Sequence, residues 1–536
     1  GLTFQDLNML EAAVKSYEKA IEIQPKYAIV HNNLGIVFRE LGQINDSINS
    51  YKKAIAAQPN FIEALNNLGN VLKENDRLDD AVKFYEKAIV LEPDFADAYN
   101  NIGMVLFEIG KFDDAIKFYE KALEVEPSYA EAHNNLGNTL KEIGQLDKAV
   151  MSYKVALKLE PGFVDAYNNL GVALYDLFQF EKALKAYKSA LKLEPELAET
   201  HNNLGITLKE LGRLEEAEKS YRKAIELKPE YQGAMLNLSN LLDYMNNLDE
   251  AILILEKIFK MEKGIHSLKA AVDLAIFSFL DDDIKASKKY LSKIQEVISS
   301  DPDTYLLYWD YLLKILNIHD NNSLDNLDFI SNKKLYVIGE MDSLVSHGLH
   351  IKISGDDFIC QSLLIKGCMQ WHLGDALKNQ YKNKLEGIFH SLQKSSTVLL
   401  TIGEVDCRLN SGIIKHRNKY PEKNTTQLIS TTVENYLNYI YKINSSCEHK
   451  VTIQGVPCPN INTKNIPKEK VIELVNLIRE FNIIFKNKST ELGFGFLDVY
   501  KLTDRGDGLS NQSWNIDEYH LSPEGIHEAW RIHSSS

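Results

Sequence analysis

The stretch "HNNLG" at His31–Gly35 decides the fold of the N-terminal half, because variants of it return along the chain at a fixed spacing. The later copies read "LNNLG", "YNNIG", "HNNLG", "YNNLG", "HNNLG" and "MLNLS", and they start at one constant interval, as the positions of His31, Leu65 and Tyr99 show. A constant period of this length is typical of stacked helical repeats. Proline keeps the same spacing at Pro25, Pro59, Pro93, Pro127, Pro161, Pro195 and Pro229.

Three further columns of the period predict how the helices pack. Small residues would let the two helices of a pair approach closely, tyrosine would fill the gap to the next pair, and proline would stop the second helix. The glycine column is Gly35, Gly69, Gly103, Gly137, Gly171 and Gly205. The alanine column is Ala13, Ala81, Ala115, Ala149, Ala183, Ala217 and Ala251, with Ser47 in the same place. The tyrosine column is Tyr17, Tyr51, Tyr85, Tyr119, Tyr153, Tyr187 and Tyr221.

This pattern resembles the tetratricopeptide repeat over residues 1–263. The resemblance implies an α-solenoid, a right-handed superhelix of about eight units with a partial first and a degenerate last one. After Glu230 the register weakens, since Leu255 stands where the earlier units have tyrosine. Residues 264–325 are predicted to be a helical cap and linker, because a repeat array must cover its last apolar face.

An asparagine precedes the Leu-Gly pair in every unit. The repeats resemble those of the O-linked N-acetylglucosamine transferase, which implies that these amides line a concave groove and grip an extended peptide or protein client. A side-chain amide has both a donor and an acceptor and so pairs with any peptide backbone. The alternative is a structural role between helices, and no glycosyltransferase domain follows. The column is Asn33, Asn67, Asn101, Asn135, Asn169, Asn203 and Asn237.

The bulk properties exclude several classes of protein. A net charge of −15 argues against a nucleic-acid partner, because phosphate binding needs clustered Lys and Arg. No run of about 18 apolar residues occurs, so no membrane span is expected. The five cysteines form no C-x-x-C pair, which favours reduced thiols in the cytoplasm. The sequence starts inside a repeat without Met, which favours a fragment of a longer chain.

Residues 330–536 alternate strand-like and helix-like segments, which predicts a C-terminal α/β/α domain with a parallel, flavodoxin-like sheet. Strands are expected at 334–339, 358–367, 397–403, 450–457 and 493–500. Helices are expected at 376–393, 427–444 and 467–489, with a last one from Pro523. In such sheets the chemistry gathers at the carboxyl ends of the strands.

Near the C-terminus, "DEYHLSPEG" places Asp517 three residues before His520. An Asp can orient a His so that its other ring nitrogen acts as a base. Together with the strands, this motif resembles the SGNH, or GDSL-type, serine hydrolases. The resemblance implies a Ser-His-Asp site that needs no metal or organic cofactor.

The remaining parts of that family's site match less well. Gly374 would contribute to the oxyanion hole, and "GEVDCR" at Gly403–Arg408 matches the family's G-x-N-D block except that Val405 replaces the asparagine. Supporting roles are assigned to Glu404, Asp406 and Arg408, for which a buried ion-pair cluster is the alternative.

The nucleophile can be placed in two ways within "YVIGEMDSLVSHG". Aligning "DSL" with the family motif selects Ser343 as the nucleophile. Aligning the end of the strand, Gly339 and Glu340, with the family's Gly-Asp instead puts Met341 at the nucleophile position, and a methionine cannot attack. Both registers stay open.

The leading hypothesis is a peptide-docking solenoid fused to an esterase or acyltransferase that acts on an acylated client or small ester. The alternative is a pure interaction protein whose second domain has lost its chemistry. A third hypothesis is transfer of another group at the Glu404–Arg408 segment.

Overall fold

A computed structural model gives the architecture of the chain, which divides into two compact units, Gly1–Thr207 and Leu208–Ser536. Each unit has its own core and is described by itself. The structure describes residues 2–6, 9–261, 264–295, 312–316, 333–339, 341–344, 346–347, 349–353, 356–365, 373, 380–402, 413, 424–459, 466–513, 515 and 521–535.

The first unit consists of antiparallel helix pairs whose bounds recur with the period of the sequence motif. The helices are α1 (Leu2–Asp6), α2 (Leu10–Ile23), α3 (Ala28–Glu40), α4 (Ile44–Ala57), α5 (Ile62–Glu74), α6 (Leu78–Leu91), α7 (Ala96–Glu108), α8 (Phe112–Val125), α9 (Ala130–Glu142), α10 (Leu146–Leu159), α11 (Val164–Asp176), α12 (Phe180–Leu193) and α13 (Ala198–Glu210). The "NNLG" text lies on the first helix of each pair, and the tyrosine column lies on the second.

The glycine and tyrosine columns meet inside each pair. A Cβ added at Gly35 would lie 2.7 Å from Cε1 of Tyr51, and one at Gly103 would lie 2.6 Å from Cε1 of Tyr119. The tyrosine therefore packs on the glycine of its own pair as well as facing the next one. Tyr51 is fully buried, and this burial raises its pKa to about 12.

The turn inside each pair carries one residue in the left-handed region, which the sequence reading missed. At this position φ is 72° for Gly42 and 75° for both Gly110 and Gly144, but other units have Asp76 and Phe178 there. Glycine ends helices this way without a steric penalty, whereas a bulky residue such as Phe178, with φ 58°, is strained.

The second unit continues the helix pairs and then forms a sheet domain. Its helices are α14 (Leu214–Leu227), α15 (Gln232–Tyr244), α16 (Leu248–Lys260), α17 (Ile265–Leu280), α18 (Ile284–Gln295), α19 (Met341–Leu344), α20 (Gln380–Ser391), α21 (Thr425–Cys447), α22 (Lys468–Glu491), α23 (Val499–Thr503) and α24 (Pro523–Ser535). Its strands are β1 (Lys334–Gly339), β2 (His350–Ile353), β3 (Asp356–Leu364), β4 (Thr397–Thr401), β5 (Lys450–Gln454) and β6 (Gly495–Leu497).

The described strands form one sheet in the order β2-β3-β1-β4-β5-β6. All neighbouring strands are parallel except β2 and β3, which are antiparallel. The prediction of an all-parallel sheet was therefore wrong at one edge, where β2 was not foreseen. Only two residues separate β2 from β3, and so short a connection can join only antiparallel strands.

Each face of the sheet is covered by its own apolar core. On one face, Val398 and Leu400 of β4 pack with α20, α21 and α22. On the other face, Val337 of β1 and Leu399 of β4 pack with α17 and α24. This alternation of neighbouring residues between two cores is typical of a sheet buried on both sides.

Helix α17 belongs to two cores at once. Its Ala270 and Leu274 pack on Leu255 and Ile258 of α16, while its Ala275 and Phe279 pack in the core beneath the sheet. The segment expected to cap the repeats therefore also forms one layer of the sheet domain.

A partly buried ion pair makes a second contact between the repeats and the sheet domain within this unit. Nζ of Lys384 in α20 lies 3.0 Å from Oδ1 of Asp243 at the end of α15, and the two side chains are 19% and 17% exposed. Equivalent positions of earlier first helices carry a basic residue at Arg39, Lys73, Lys141 and Lys209 and an aromatic residue at Phe107 and Tyr175. The acidic Asp243 at this position therefore complements the positive charge of Lys384.

Candidate functional site

The predicted asparagine column occupies one position on successive first helices. In four successive units, the side-chain Nδ2 of this asparagine donates to Oδ1 of the first asparagine of the doublet in the preceding helix pair. The donors and acceptors are Asn67 to Asn32 at 3.1 Å, Asn101 to Asn66 at 2.9 Å, Asn135 to Asn100 at 3.1 Å, and Asn169 to Asn134 at 3.1 Å. We call these donor residues, together with Asn33 and Asn203, the asparagine row. Asn237 holds the corresponding position of the repeat in the second unit.

The hydrogen bond between helix pairs uses only one N–H of each bonded row amide. The acceptor asparagines are nearly fully buried, while the row asparagines are half-buried. Among the described residues, no donor contacts Oδ1 of Asn67, Asn101, Asn135 or Asn169. Each of these four side chains therefore keeps one acceptor and one N–H after joining two helix pairs. Structural and ligand-binding roles are compatible in the same residue.

The sequence signal for the acceptors was visible but was not used. Six units carry an Asn-Asn doublet, and only its second member was assigned a role. The first member is the acceptor in each bond between pairs. A doublet that recurs with the repeat period predicts such a ladder, because residues at one position of successive helices become neighbours when repeats stack.

The histidines before the doublet have a structural role. Nε2 of His31 lies 2.8 Å from the carbonyl oxygen of Pro25, and the corresponding distances are 3.2 Å for His133 and 3.0 Å for His201. Each ring therefore satisfies a carbonyl in the turn where its first helix begins.

At the carboxyl edge of the sheet, Ser343 lies in α19, one short turn after β1. It is fully buried, and the Ser362 hydroxyl donates to the Ser343 carbonyl oxygen. The neighbouring His347 is packed on Phe279, and its Nδ1 accepts from the Ser362 backbone N–H at 3.3 Å. Ser343 and His347 are thus held within the protein in this conformation.

The other predicted residues of the hydrolase site fall outside the described part of the chain, apart from Met341, whose backbone lies in α19. Their arrangement around Ser343 stays a prediction. They are Asp517, His520, Gly374, Glu404, Asp406 and Arg408.

Three described residues follow one another across the carboxyl edge of neighbouring strands. Gly339 of β1 pairs with Thr401 of β4. Gln454 of β5 comes directly after Ile453, which pairs with Leu400 of β4. Thr401 Oγ1 and Gln454 Oε1 are buried, and neither has a hydrogen-bond partner among the described residues. Buried polar atoms in this state are uncommon in a protein core.

Two buried cysteines are poor nucleophiles. Burial raises the pKa of the Cys360 and Cys458 thiols to about 12, so both stay protonated near neutral pH. Among the described residues, no group of three His, Cys, Asp or Glu side chains forms a metal site. None of the described helices is both long and apolar enough to cross a membrane.

Comparison with protein families identifies the repeats. Models described as tetratricopeptide repeat match residues 62–95, 96–129, 118–151, 164–230 and 208–272. A model described as TPR repeat matches residues 1–39, 37–76 and 137–177. Residues 1–272 belong to the tetratricopeptide repeat family. The recognition of these repeats from the sequence is confirmed.

Three solved structures similar to the chain each cover about a third of it. YrrB, described as a TPR protein with an unusual peptide-binding site, is 25% identical, with 34% of this chain and 95% of that chain covered and a TM-score of 0.30. MamA is 31% identical, with 31% and 97% covered and a TM-score of 0.28. MamA from Desulfovibrio magneticus RS-1 is 22% identical, with 32% and 96% covered and a TM-score of 0.30. No curated protein matches the chain.

Proposed function

We propose that the tetratricopeptide repeats bind an extended polypeptide through the asparagine row. The observation that carries this proposal is the state of the row amides. Each of Asn67, Asn101, Asn135 and Asn169 is oriented by a bond to the preceding pair and still has one acceptor and one donor available. An oriented amide loses little rotational freedom on binding, which favours affinity.

The chemistry of the row favours the backbone of the ligand over its side chains. An extended peptide has one N–H and one C=O for each residue, and an amide complements both. A row of identical amides offers no means of distinguishing one peptide side chain from another. The expected ligand is therefore a flexible segment of a protein, with sequence preference set by other groups.

The proposal is tested with the full chain and a phage-displayed library of random linear peptides. A selected peptide, labelled with fluorescein, is titrated by fluorescence anisotropy beside a copy that is methylated at its backbone nitrogens. Loss of binding on methylation is expected, because the row would lose the peptide N–H groups. Equal affinity of the two copies, or failure to select any peptide, would contradict the proposal.

A pair of variants separates binding from stability. Asn135→Ala and Asn100→Ala both remove the bond between Asn135 and Asn100, so both should lower the free energy of unfolding by about 1 kcal/mol. Only Asn135→Ala removes an amide of the row, and only this variant should weaken peptide binding, about fivefold for one hydrogen bond. The same loss of affinity in both variants would indicate an indirect effect.

A second candidate function concerns the sheet domain. We infer an SGNH-type hydrolase fold, because the five parallel strands, numbered separately in chain order, lie in the order 2-1-3-4-5 of flavodoxin-like sheets. In this proposal Ser343 would be the nucleophile, His520 the general base and Asp517 its orienting partner, with an acylated client or small ester as substrate. Because Ser343 is fully buried, α19 would have to move before a substrate reached it.

The alternative for this domain is a binding module without chemistry, which the burial of Ser343 favours. The two are separated by hydrolysis of p-nitrophenyl acetate and by labelling with a fluorophosphonate probe. A hydrolase should be labelled, and Ser343→Ala and His520→Ala should each abolish labelling and turnover. An unlabelled, inactive wild-type chain would leave the binding module, and labelling that survives Ser343→Ala would place the nucleophile elsewhere.

A further inference from the structure

Asn203 differs from the four members of the row that precede it directly. Asn67, Asn101, Asn135 and Asn169 all donate to the preceding pair, but within the described part of the chain the Asn203 side chain makes no hydrogen bond. At its backbone, the Asn203 carbonyl oxygen accepts a hydrogen bond from Thr207 Oγ1 at 2.9 Å. The complete amide of Asn203 is therefore available.

Thr200 explains this difference. Its hydroxyl Oγ1 donates to Oδ1 of Asn168 at 3.2 Å, which is the acceptor that Asn203 would use if it followed the pattern of the earlier pairs. Thr200 is almost fully buried and is positioned to keep this contact. The first helices of the other units have alanine or valine at this position: Val30, Ala64, Ala98, Ala132, Ala166 and Ala234.

The burial of the acceptors agrees with this exchange. Asn32, Asn66, Asn100 and Asn134, which accept from the row, are no more than 8% exposed. Asn168, which accepts from Thr200 instead, is only half-buried. An acceptor that is not covered by the next row amide remains more open to solvent.

We propose that Thr200 releases Asn203 from the fold and makes it a dedicated ligand-binding residue, which contacts the backbone of the bound polypeptide with its whole amide. This inference rests on the proposed peptide-binding function and adds to it. The four bonded row amides contribute to both stability and binding, whereas Asn203 contributes to binding alone. Because no N–H of its side chain is used within the fold, Asn203 can offer the ligand both amide N–H groups and the amide oxygen.

The test compares three variants of the full chain with the selected fluorescein-labelled peptide and with urea denaturation followed by circular dichroism. Asn203→Ala should weaken binding by about five- to thirtyfold, for one to two hydrogen bonds, and leave the denaturation midpoint unchanged. The matched control Asn135→Ala should weaken binding and also lower the midpoint. Thr200→Ala should restore the bond from Asn203 to Asn168 and weaken binding several-fold.

A double variant shows whether Thr200 acts through Asn203. Once Asn203 is alanine, adding Thr200→Ala should cause no further loss of affinity, whereas an independent structural effect of Thr200 would add to it. If Asn135→Ala weakens binding but Asn203→Ala does not, or if Asn203→Ala lowers the midpoint as Asn135→Ala does, the inference is wrong. If neither variant changes binding, the peptide-binding function of the row itself is wrong.

Discussion

The helical repeats and the sheet domain both use a glycine to leave space for a neighbouring side chain, at Gly103 and Gly339 respectively. Gly103 in the repeats makes room for Tyr119, and Gly339 in the sheet makes room for Thr401. The first partner lies on the next helix, and the second lies on another strand beyond a hairpin and a helix. Packing in the repeats is therefore local and recurrent, while packing in the sheet joins distant segments that occur once.

This difference bears on how damage spreads. In a repeat array each unit contacts its neighbours, so a defect is expected to remain near its origin. In the sheet domain, β1 lies between β3 and β4 and contributes to the cores on both faces, so a defect there affects the whole domain. The four tryptophans, Trp309, Trp371, Trp514 and Trp530, all follow residue 208, so their fluorescence reports on the second unit.

The largest effect is expected for Gly339→Ala. The added Cβ would overlap Oγ1 of Thr401 in the middle of the sheet, where neither strand can move without disturbing both cores. The free energy of unfolding of the second unit should fall by about 3 kcal/mol. Urea denaturation followed by tryptophan fluorescence measures this change. Adding Thr401→Ala should recover part of the loss, and an unchanged transition for Gly339→Ala would show that the sheet yields more easily than inferred.

In the repeats, Gly103→Ala should cost about 2 kcal/mol, because its Cβ would lie 2.6 Å from Cε1 of the buried Tyr119. The loss is expected in the circular-dichroism transition, with the tryptophan transition unchanged. Gly162→Ala is the control, since nothing lies within 4 Å of a Cβ at that position. A shift of the tryptophan transition by Gly103→Ala would contradict the local character of packing in the repeats.

Two ion pairs extend the comparison to electrostatics. Lys384 and Asp243, which join the sheet domain to the repeats, are less than one-fifth exposed, whereas Lys117 and Asp114 on α8 are 67% and 54% exposed. Double-mutant cycles with alanine should give a coupling energy of about 1–2 kcal/mol for the first pair and a clearly smaller one for the second, which water screens. Equal coupling energies would mean that burial of the first pair has no consequence for stability.

The smallest effect, and the only stabilising one, is expected for Phe178→Gly. Phe178 adopts the left-handed conformation that Gly110 and Gly144 adopt in other units, and its side chain is 67% exposed. Removing the steric penalty should raise the free energy of unfolding by about 1 kcal/mol. Loss of the ring contact between Phe178 and Phe180 should reduce this gain. The denaturation midpoint from circular dichroism measures it, with Gly144→Ala as the reverse control that should lose stability.

The candidate sites were predicted to different extents. The asparagine row was recognised because its members recur, but its bonds to the preceding pair were not, since a choice between a structural and a binding amide depends on neighbouring side chains. The exception at Asn203 could be recognised only once the position of Thr200 was known, because in the sequence Thr200 is one substitution in a column that is mostly alanine. In the sheet domain, the placement of Ser343 after β1 agrees with the predicted strand, whereas its burial depends on packing against other segments such as β3, where Ser362 donates to its carbonyl oxygen.

The sequence by itself determined the helix pairs, their spacing and the column that each residue belongs to, because contacts between corresponding positions of adjacent repeats recur and reinforce one pattern. It also predicted five of the described strands. Only the tertiary structure decided the antiparallel β2 edge, the double role of α17 and the release of Asn203 by Thr200. Each of these depends on a contact that occurs once, between residues whose proximity is set by how the chain folds back on itself.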